Sequence, residues 1–138
     1  MTARALALGV GLALLAGCDP GPAKAAEPAW SKQACTHCMM LLSDKRFAAQ
    51  ATLATGERHY FDDVGCLVSW LERDGAGAKG AWVRTPTADG WIPAEAARFA
   101  PGAITPMDFG FAPAASGITF TELKQQLKDR SPTRGGAR

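Results

Sequence analysis

The sequence predicts an α+β fold in which two small ββα units form one compact domain. Short stretches with strand-like alternation precede segments with helical spacing, and 15 Gly and 9 Pro imply many turns. A length of 138 residues suits one modest domain. With 47% hydrophobic residues and a formal net charge of +2, the composition argues against a disordered chain, a nucleic-acid binder and an acidic tail protein.

The first unit is predicted to consist of two strands and a helix. Strand-like alternation over Arg46–Ala54 leads into a turn with Gly56 and then into a return strand at Arg58–Phe61. Asp62 or Asp63 is placed to cap the helix that follows. The apolar positions of this helix share one face: Val64, Leu67, Val68 and Leu71.

A loop predicted over Gly75–Gly80 separates the first unit from the second. Strands are expected at Ala81–Arg84 and Trp91–Ile92, whereas the Gly/Pro-rich stretch Pro101–Gly117 is expected to hold little regular structure. The last element is a helix with a capping box and one apolar face: Thr119 and Glu122 form the box, and Phe120, Leu123 and Leu127 form the face.

The first 17 residues are typical of a lipoprotein signal peptide. The apolar run Ala5–Ala16 is shorter than the roughly twenty residues that a membrane-spanning helix needs. It leads into Leu15-Ala16-Gly17-Cys18, which resembles a bacterial lipobox, and Asp19 resembles an inner-membrane retention signal. We therefore expect a protein that is lipid-anchored through Cys18 on the periplasmic side of the cytoplasmic membrane. An ordinary secretory signal with an incidental cysteine is the alternative.

Composition predicts the remaining boundaries. Residues 18–29 comprise the lipidated cysteine and a Pro/Ala/Gly-rich tether that we expect to be flexible. Residues 30–130 are expected to fold, and residues 131–138 form a second Gly-containing tail that is expected to be disordered.

Three thiols remain once Cys18 is acylated: Cys35, Cys38 and Cys66. An odd number of thiols in an oxidising compartment leaves at least one unpaired, which is a liability unless a metal or a partner uses it. Cys66 lies between apolar positions of the first helix, so we interpret it as a half-buried packing residue. His59, on the return strand, is interpreted as structural.

The segment Cys35-Thr-His37-Cys38-Met39-Met40 gathers two thiols, one imidazole and two thioethers. Thiolates and thioethers are soft donors, and together they favour Cu(I) over zinc, magnesium or calcium. A Cys-x-x-Cys pair alone also suits a structural disulfide, a redox pair or half of a zinc site. No second such pair supplies four zinc ligands by pattern, and the motif does not stand at a strand-to-helix junction of the thioredoxin kind.

Residues 34–127 resemble the NosL family, the copper lipoproteins accessory to nitrous oxide reductase. Many members of that family have Gly where this chain has Met39, which leaves the Cys-x-Met spacing intact. The motifs that carry the resemblance are Cys35-x-x-Cys38-x-Met40, Ala49-Gln50, Tyr60-Phe61-Asp62-Asp63, Cys66-Leu67, Trp70, Trp82-Val83, Trp91-Ile92-Pro93-Ala94, and Thr105-Pro106-Met107 with Gly110 and Ala112.

The resemblance implies a Cu(I) carrier and not an enzyme. Carried over residue by residue, the implied copper ligands are Cys38, Met40 and Met107. Met107 lies in a segment without helical or strand periodicity, so core packing explains it poorly. Cys35 and His37 are further donors, or alternative donors during transfer.

The implied partners are the ABC-transporter complex that matures nitrous oxide reductase, an enzyme of denitrification, and through it the apo reductase. The implied fold is similar to that of the organomercurial lyase MerB. That similarity leaves a lyase open, in which Asp62, Asp63 and Cys66 would act with paired thiols. An exported thiol–disulfide reductant that uses Cys35 and Cys38 is a further alternative.

Overall fold

The computed structural model describes residues 24–130. The predicted signal peptide, Cys18, the first part of the tether and the tail at 131–138 lie outside the described residues. The strands are β1 Ala49–Leu53, β2 Arg58–Phe61, β3 Ala78–Arg84, β4 Trp91–Pro93, β5 Arg98–Pro101, β6 Phe111–Ala114 and β7 Ile118–Thr119. The helices are α1 Val64–Arg73 and α2 Phe120–Arg130, with single 3-10 turns at Lys45–Phe47 and Ala94–Ala96.

The predicted α+β class is confirmed, with two small antiparallel sheets and two helices that pack into one body. The first sheet has the order β2-β1-β3-β4 and the second the order β6-β5-β7. Helix α1 packs on β1 and β2, α2 packs on β5 and β7, and the two helices contact each other. No helix within residues 24–130 is long and apolar enough to cross a membrane.

The strands expected to begin the second unit lie instead in the first sheet. Val83 of β3 pairs with Ala49 of β1 on one side and with Ile92 of β4 on the other. The prediction of a loop over Gly75–Gly80 is wrong in its second half, because β3 begins at Ala78, which pairs with Leu53. Tertiary pairing with β1 therefore overrides the local turn signal of the glycines.

The second sheet arises where little regular structure was expected. Strands β5 and β6 pair from Arg98 opposite Ala114 to Pro101 opposite Phe111. The expectation for Pro101–Gly117 was wrong over Phe111–Ala114, where the strand includes Pro113. Because β6 is an edge strand, a proline in it need not interrupt the hydrogen-bond ladder.

The helix ends agree with their predicted caps. Asp63 Oδ1 accepts a hydrogen bond from the Gly65 N–H at 2.9 Å and caps α1. Thr119 and Glu122 form the predicted capping box of α2, since the Thr119 N–H donates to Glu122 Oε2 at 2.7 Å and the Glu122 N–H donates to Thr119 Oγ1 at 3.2 Å. The predicted apolar face of α2 is buried at Phe120, Leu123 and Leu127. On α1, Val64, Leu67 and Val68 are buried and Leu71 is partly buried.

The start of the first predicted strand is displaced. Residues Lys45–Phe47 form a 3-10 turn, so β1 begins at Ala49 and not at Arg46. Asp44 causes the difference, because its carboxylate accepts the Arg46 N–H at 3.1 Å and also pairs with the Arg46 guanidinium at 2.6 Å. A short polar side chain that caps its own neighbours competes with strand formation.

Residues just before the predicted domain boundary contact the first sheet. Ala26 exchanges two hydrogen bonds with the Gln50 side chain, each 2.9 Å long. Glu27 accepts from Arg84 Nη1 and from Trp91 Nε1, both at 2.7 Å. These contacts extend the folded region N-terminal of residue 30.

Candidate metal centre

A tight loop presents the two cysteines of the Cys-x-x-Cys motif. This cysteine loop, residues 35–40, is closed by a hydrogen bond from the Cys35 N–H to the Met40 carbonyl at 2.8 Å. It is attached to β2 because the Thr36 N–H donates to the Tyr60 carbonyl at 2.8 Å. The Cys38 N–H points at the Cys35 sulfur across 3.5 Å. The local backbone therefore turns the two sulfurs toward one side.

The beginning of α1 supplies the other half of the site. Asp62 follows β2 directly, and Cys66 lies in the first turn of the helix that Asp63 caps. Cys66 is completely buried, whereas we predicted it to be half-buried. The ligand atoms of Cys35, Cys38, Asp62 and Cys66 all lie within 4.8 Å of one another.

This cysteine cluster, defined by Cys35, Cys38, Asp62 and Cys66, has the dimensions of a metal site. Ligands around a metal with bonds of about 2.3 Å to sulfur lie about 4 Å apart, so small side-chain movements would suffice. Within residues 24–130 the three thiols are free of disulfides. The cluster thus offers three sulfur donors and one oxygen donor, which suit a soft metal ion.

The Cys35 sulfur is stabilised as a thiolate. The Cys66 thiol donates a hydrogen bond to it, and the backbone N–H groups of Cys38, Asp62 and His37 add further hydrogen bonds. Although burial acts in the opposite direction, these donors lower the Cys35 pKa to about 6. Near neutral pH, Cys35 is therefore the anionic member of the three thiols.

The other two thiols keep their protons. Burial raises the pKa of Cys38 to about 12, and the hydrogen bond that Cys38 Sγ donates to Asp62 Oδ1 at 3.2 Å acts in the same direction. The pKa of Cys66 is raised because its proton is held by Cys35 and because the residue is buried. A metal that binds all three sulfurs has to displace both protons.

The predicted methionine ligands lie in two loops, one that carries Cys35 and Cys38 and one that is hydrogen-bonded to Asp63. Met40 closes the cysteine loop and is 46% exposed. The Met107 N–H donates to Asp63 Oδ2 at 3.2 Å, and Met107 is 37% exposed. Met39 is 71% exposed, with a φ of 68° in the left-handed region. The large exposed hydrophobic residues of 24–130 lie in these two loops or directly next to them: Met39, Met40, Leu41, Ile104 and Met107.

The two histidines have different surroundings. His37 lies inside the cysteine loop, burial lowers the pKa of its imidazole, and its buried Nδ1 has no hydrogen-bond partner among residues 24–130. His59 lies on β2 with its ring centroid 4.6 Å from that of Trp70. The His59 Nε2 is also buried without a hydrogen-bond partner among residues 24–130, and its structural role stays a prediction.

Asp62 and Cys66 were not predicted as members of a copper site. Their sequence signal is weak, because 24 residues separate Asp62 from its partner Cys38. The odd number of thiols was the one sequence signal for Cys66, because it left a third thiol without a partner. Cys66 lies in the first turn of the helix that an aspartate caps, so it lies close to any segment that contacts this end of the helix.

Comparison with known proteins adds no relatives: no family model, no curated protein and no solved structure matches this chain.

Proposed function

We propose that this protein is a lipid-anchored Cu(I) carrier on the periplasmic side of the cytoplasmic membrane. In this proposal it supplies copper for the maturation of nitrous oxide reductase. The supporting observation is the convergence of three free thiols within 4.8 Å, beside loops with exposed methionines. The resemblance to the NosL family suggests the client, and the lipobox suggests the location.

The protonation of the cluster favours a soft monovalent ion. Cys35 provides one thiolate near neutral pH, which matches the single charge of Cu(I). Cu(I) bound to Cys35 and Cys38 would displace the Cys38 proton alone, whereas Zn(II) bound to all three sulfurs would also have to displace the Cys66 proton; the pKa values of both thiols are raised. Cys38, Met40 and Met107 remain the proposed ligands, with Cys35 and His37 as further donors, and the cluster adds Cys66 as a candidate.

Exposed thioethers suit a carrier that must release its cargo. Met40 and Met107 are each more than a third exposed, so a donor on a partner can replace one thioether while buried sulfurs still hold the ion. Copper then passes from site to site without entering solution. The proposed recipient is the ABC-transporter complex and, through it, the apo reductase. A lipid anchor would raise the local concentration of the carrier at that membrane complex.

An anaerobic Cu(I) titration against a bicinchoninate-type chelator tests this function. The protein starts at residue 18 and carries Cys18→Ser, so that it stays free of lipid. We expect it to bind about one Cu(I) per chain, more weakly after Cys38→Ser, Met40→Ala or Met107→Ala. Met39→Gly is the matched control, because Met39 lies outside the Cys-x-Met spacing.

Failure to compete with the chelator would contradict the carrier function. Tighter binding of Zn(II) than of Cu(I) would contradict the choice of metal. Copper binding indifferent to Met40, together with a low-potential Cys35–Cys38 disulfide, would favour the thiol–disulfide reductant instead.

The hydrogen bond between Cys38 and Asp62 favours a second candidate, an organometal lyase. Two thiolates of the cluster would bind the metal of an arylmetal cation. The carbon–metal bond would break, and its electron pair would take a proton delivered through Asp62. The products are the hydrocarbon and a divalent metal ion held by the thiolates. Release of benzene from phenylmercury that disappears in Asp62→Asn would support this candidate, and absence of benzene would dismiss it.

A further inference from the structure

The loop that carries Met107 has a fixed shape. Residues 102–110, here called the Met107 loop, are closed at their base because the N–H groups of Gly102 and Ala103 both donate to the Gly110 carbonyl, at 2.9 and 3.3 Å. Inside the loop, the Asp108 N–H donates to the Thr105 carbonyl at 3.0 Å. The Thr105 hydroxyl accepts from the Gly110 N–H at 3.2 Å. These bonds leave the loop few ways to deform without losing a partner.

One carboxyl group connects this loop to the helix that carries Cys66. Asp63 Oδ1 accepts from the Gly65 N–H at 2.9 Å, and Asp63 Oδ2 accepts from the Met107 N–H at 3.2 Å. The Thr105 side chain forms a further hydrogen bond with Asp63. Asp63 is completely buried, so water does not compete for these bonds.

Phe109 makes a second contact between the Met107 loop and α1. A Cβ atom added to Gly65 would lie 2.0 Å from Phe109 Cγ, so the ring lies directly on the first turn of the helix. This contact packs the Met107 loop against the residue that precedes Cys66.

Capping α1 does not by itself require an aspartate. A cap needs one acceptor, which Ser, Thr or Asn would provide. Asp63 instead has two acceptor oxygens in use, and only a carboxylate offers an acceptor at both ends of the group. Burial raises the pKa of Asp63, which is an energetic cost that a simple cap would avoid.

We infer that Asp63 is a positioning residue for the Met107 thioether. It fixes the Met107 loop through the main-chain N–H of Met107 while it orients the first turn of α1 with Cys66. This inference rests on the proposed function, because it gives Met107 the role of a copper ligand.

A double-mutant cycle on the protein used for the copper titration tests this inference. Met107→Leu is expected to weaken Cu(I) binding about tenfold in the otherwise native protein, because it removes a soft thioether donor. Asp63→Asn keeps one oxygen for the cap but turns an NH₂ group toward Met107 or Gly65. In that background we expect Met107→Leu to cause no further loss, since the thioether is no longer held at the site.

Equal losses from Met107→Leu in both backgrounds would overturn the positioning role and leave the carrier function intact. No loss from Met107→Leu in the native background would instead remove Met107 from the ligand set. If Asp63→Asn does not fold, as judged by its urea unfolding curve, Thr105→Val takes its place, because it loosens the same loop from the opposite side. Additive effects of Thr105→Val and Met107→Leu would then overturn the inference.

Discussion

The Cys38 thiol donates a hydrogen bond to Oδ1 of Asp62 across 3.2 Å. This contact joins the cysteine loop to the residue that precedes the cap of α1, and it helps to keep the Cys38 proton in place. The second oxygen, Oδ2, is buried and has no partner within the described part of the chain. Asp62 therefore has one carboxylate oxygen that can still accept a hydrogen bond or bind a metal, next to the three thiols.

Asp62→Asn is expected to change the affinities for Cu(I) and Zn(II) differently. We expect Cu(I) affinity to be unchanged or higher, because Cu(I) prefers sulfur and because the Cys38 proton loses its carboxylate acceptor. Zn(II) affinity is expected to fall, since zinc would lose an oxygen ligand. Parallel titrations with both metals measure this, with the exposed Asp89→Asn as control. A loss of Cu(I) affinity as large as that of Cys38→Ser would show that Asp62 is a ligand instead.

Cys66→Ala is expected to raise the pKa of Cys35 from about 6 toward its ordinary value of 9.0. The hydrogen bond from Cys66 is the main factor that lowers this pKa, and alanine removes the donor. The free energy of unfolding should fall by about 1–3 kcal/mol, because the buried Cys35 sulfur loses its partner. Thiolate absorbance against pH and urea unfolding measure the two effects. An unchanged Cys35 pKa would show that the backbone N–H groups alone are enough to stabilise the Cys35 thiolate.

The stability of the metal-free, reduced protein is expected to pass through a maximum near pH 9. Between pH 6 and 9, Cys35 is ionised in the folded protein but protonated in the unfolded chain, so stability rises with pH. Above pH 9, the unfolded chain loses the protons that folded Cys38 and Cys66 retain, so stability falls. Urea midpoints across this range test the sign. Cys35→Ser should abolish the rising limb, and a rising limb that persists in this variant would refute the assignment.

Met39→Gly is expected to raise the free energy of unfolding, by at most about 1 kcal/mol. A left-handed φ of 68° is costly for methionine and not for glycine, although glycine loses more entropy on folding. Because Met39 is 71% exposed, little burial is lost. Urea unfolding measures the change. A fall in the free energy of unfolding would mean that contacts of the Met39 side chain outweigh the backbone strain that glycine relieves.

Local signals explain which elements could be predicted from the sequence. The caps of both helices depend on residues two or three positions away, as in the pair Thr119 and Glu122, so their patterns are visible in the chain. Strand β6 lacks such a signal, because Pro113 and its neighbours form a strand only through pairing with β5. The placement of β3 in the first sheet likewise depends on contacts with β1 that no local pattern specifies.

The candidate site likewise has a part that local sequence signals predicted and a part that depends on tertiary contacts. The motif around Cys35 and Cys38 indicated soft-metal chemistry from residue types alone. The addition of Asp62 and Cys66 required the fold, because the attachment of the cysteine loop to β2 at Tyr60 and the Cys38–Asp62 hydrogen bond bring residues distant in the sequence together. The roles of Met40 and Met107 as ligands stay predictions, which the copper titration addresses.

X-ray absorption spectroscopy of the Cu(I)-loaded protein tests the central claim most directly. We predict a copper shell dominated by sulfur, with loss of one sulfur scatterer in Cys38→Ser and retention of the shell in Asp62→Asn. A shell dominated by nitrogen or oxygen, or copper that does not stay with the protein during anaerobic desalting, would contradict a sulfur-based Cu(I) carrier.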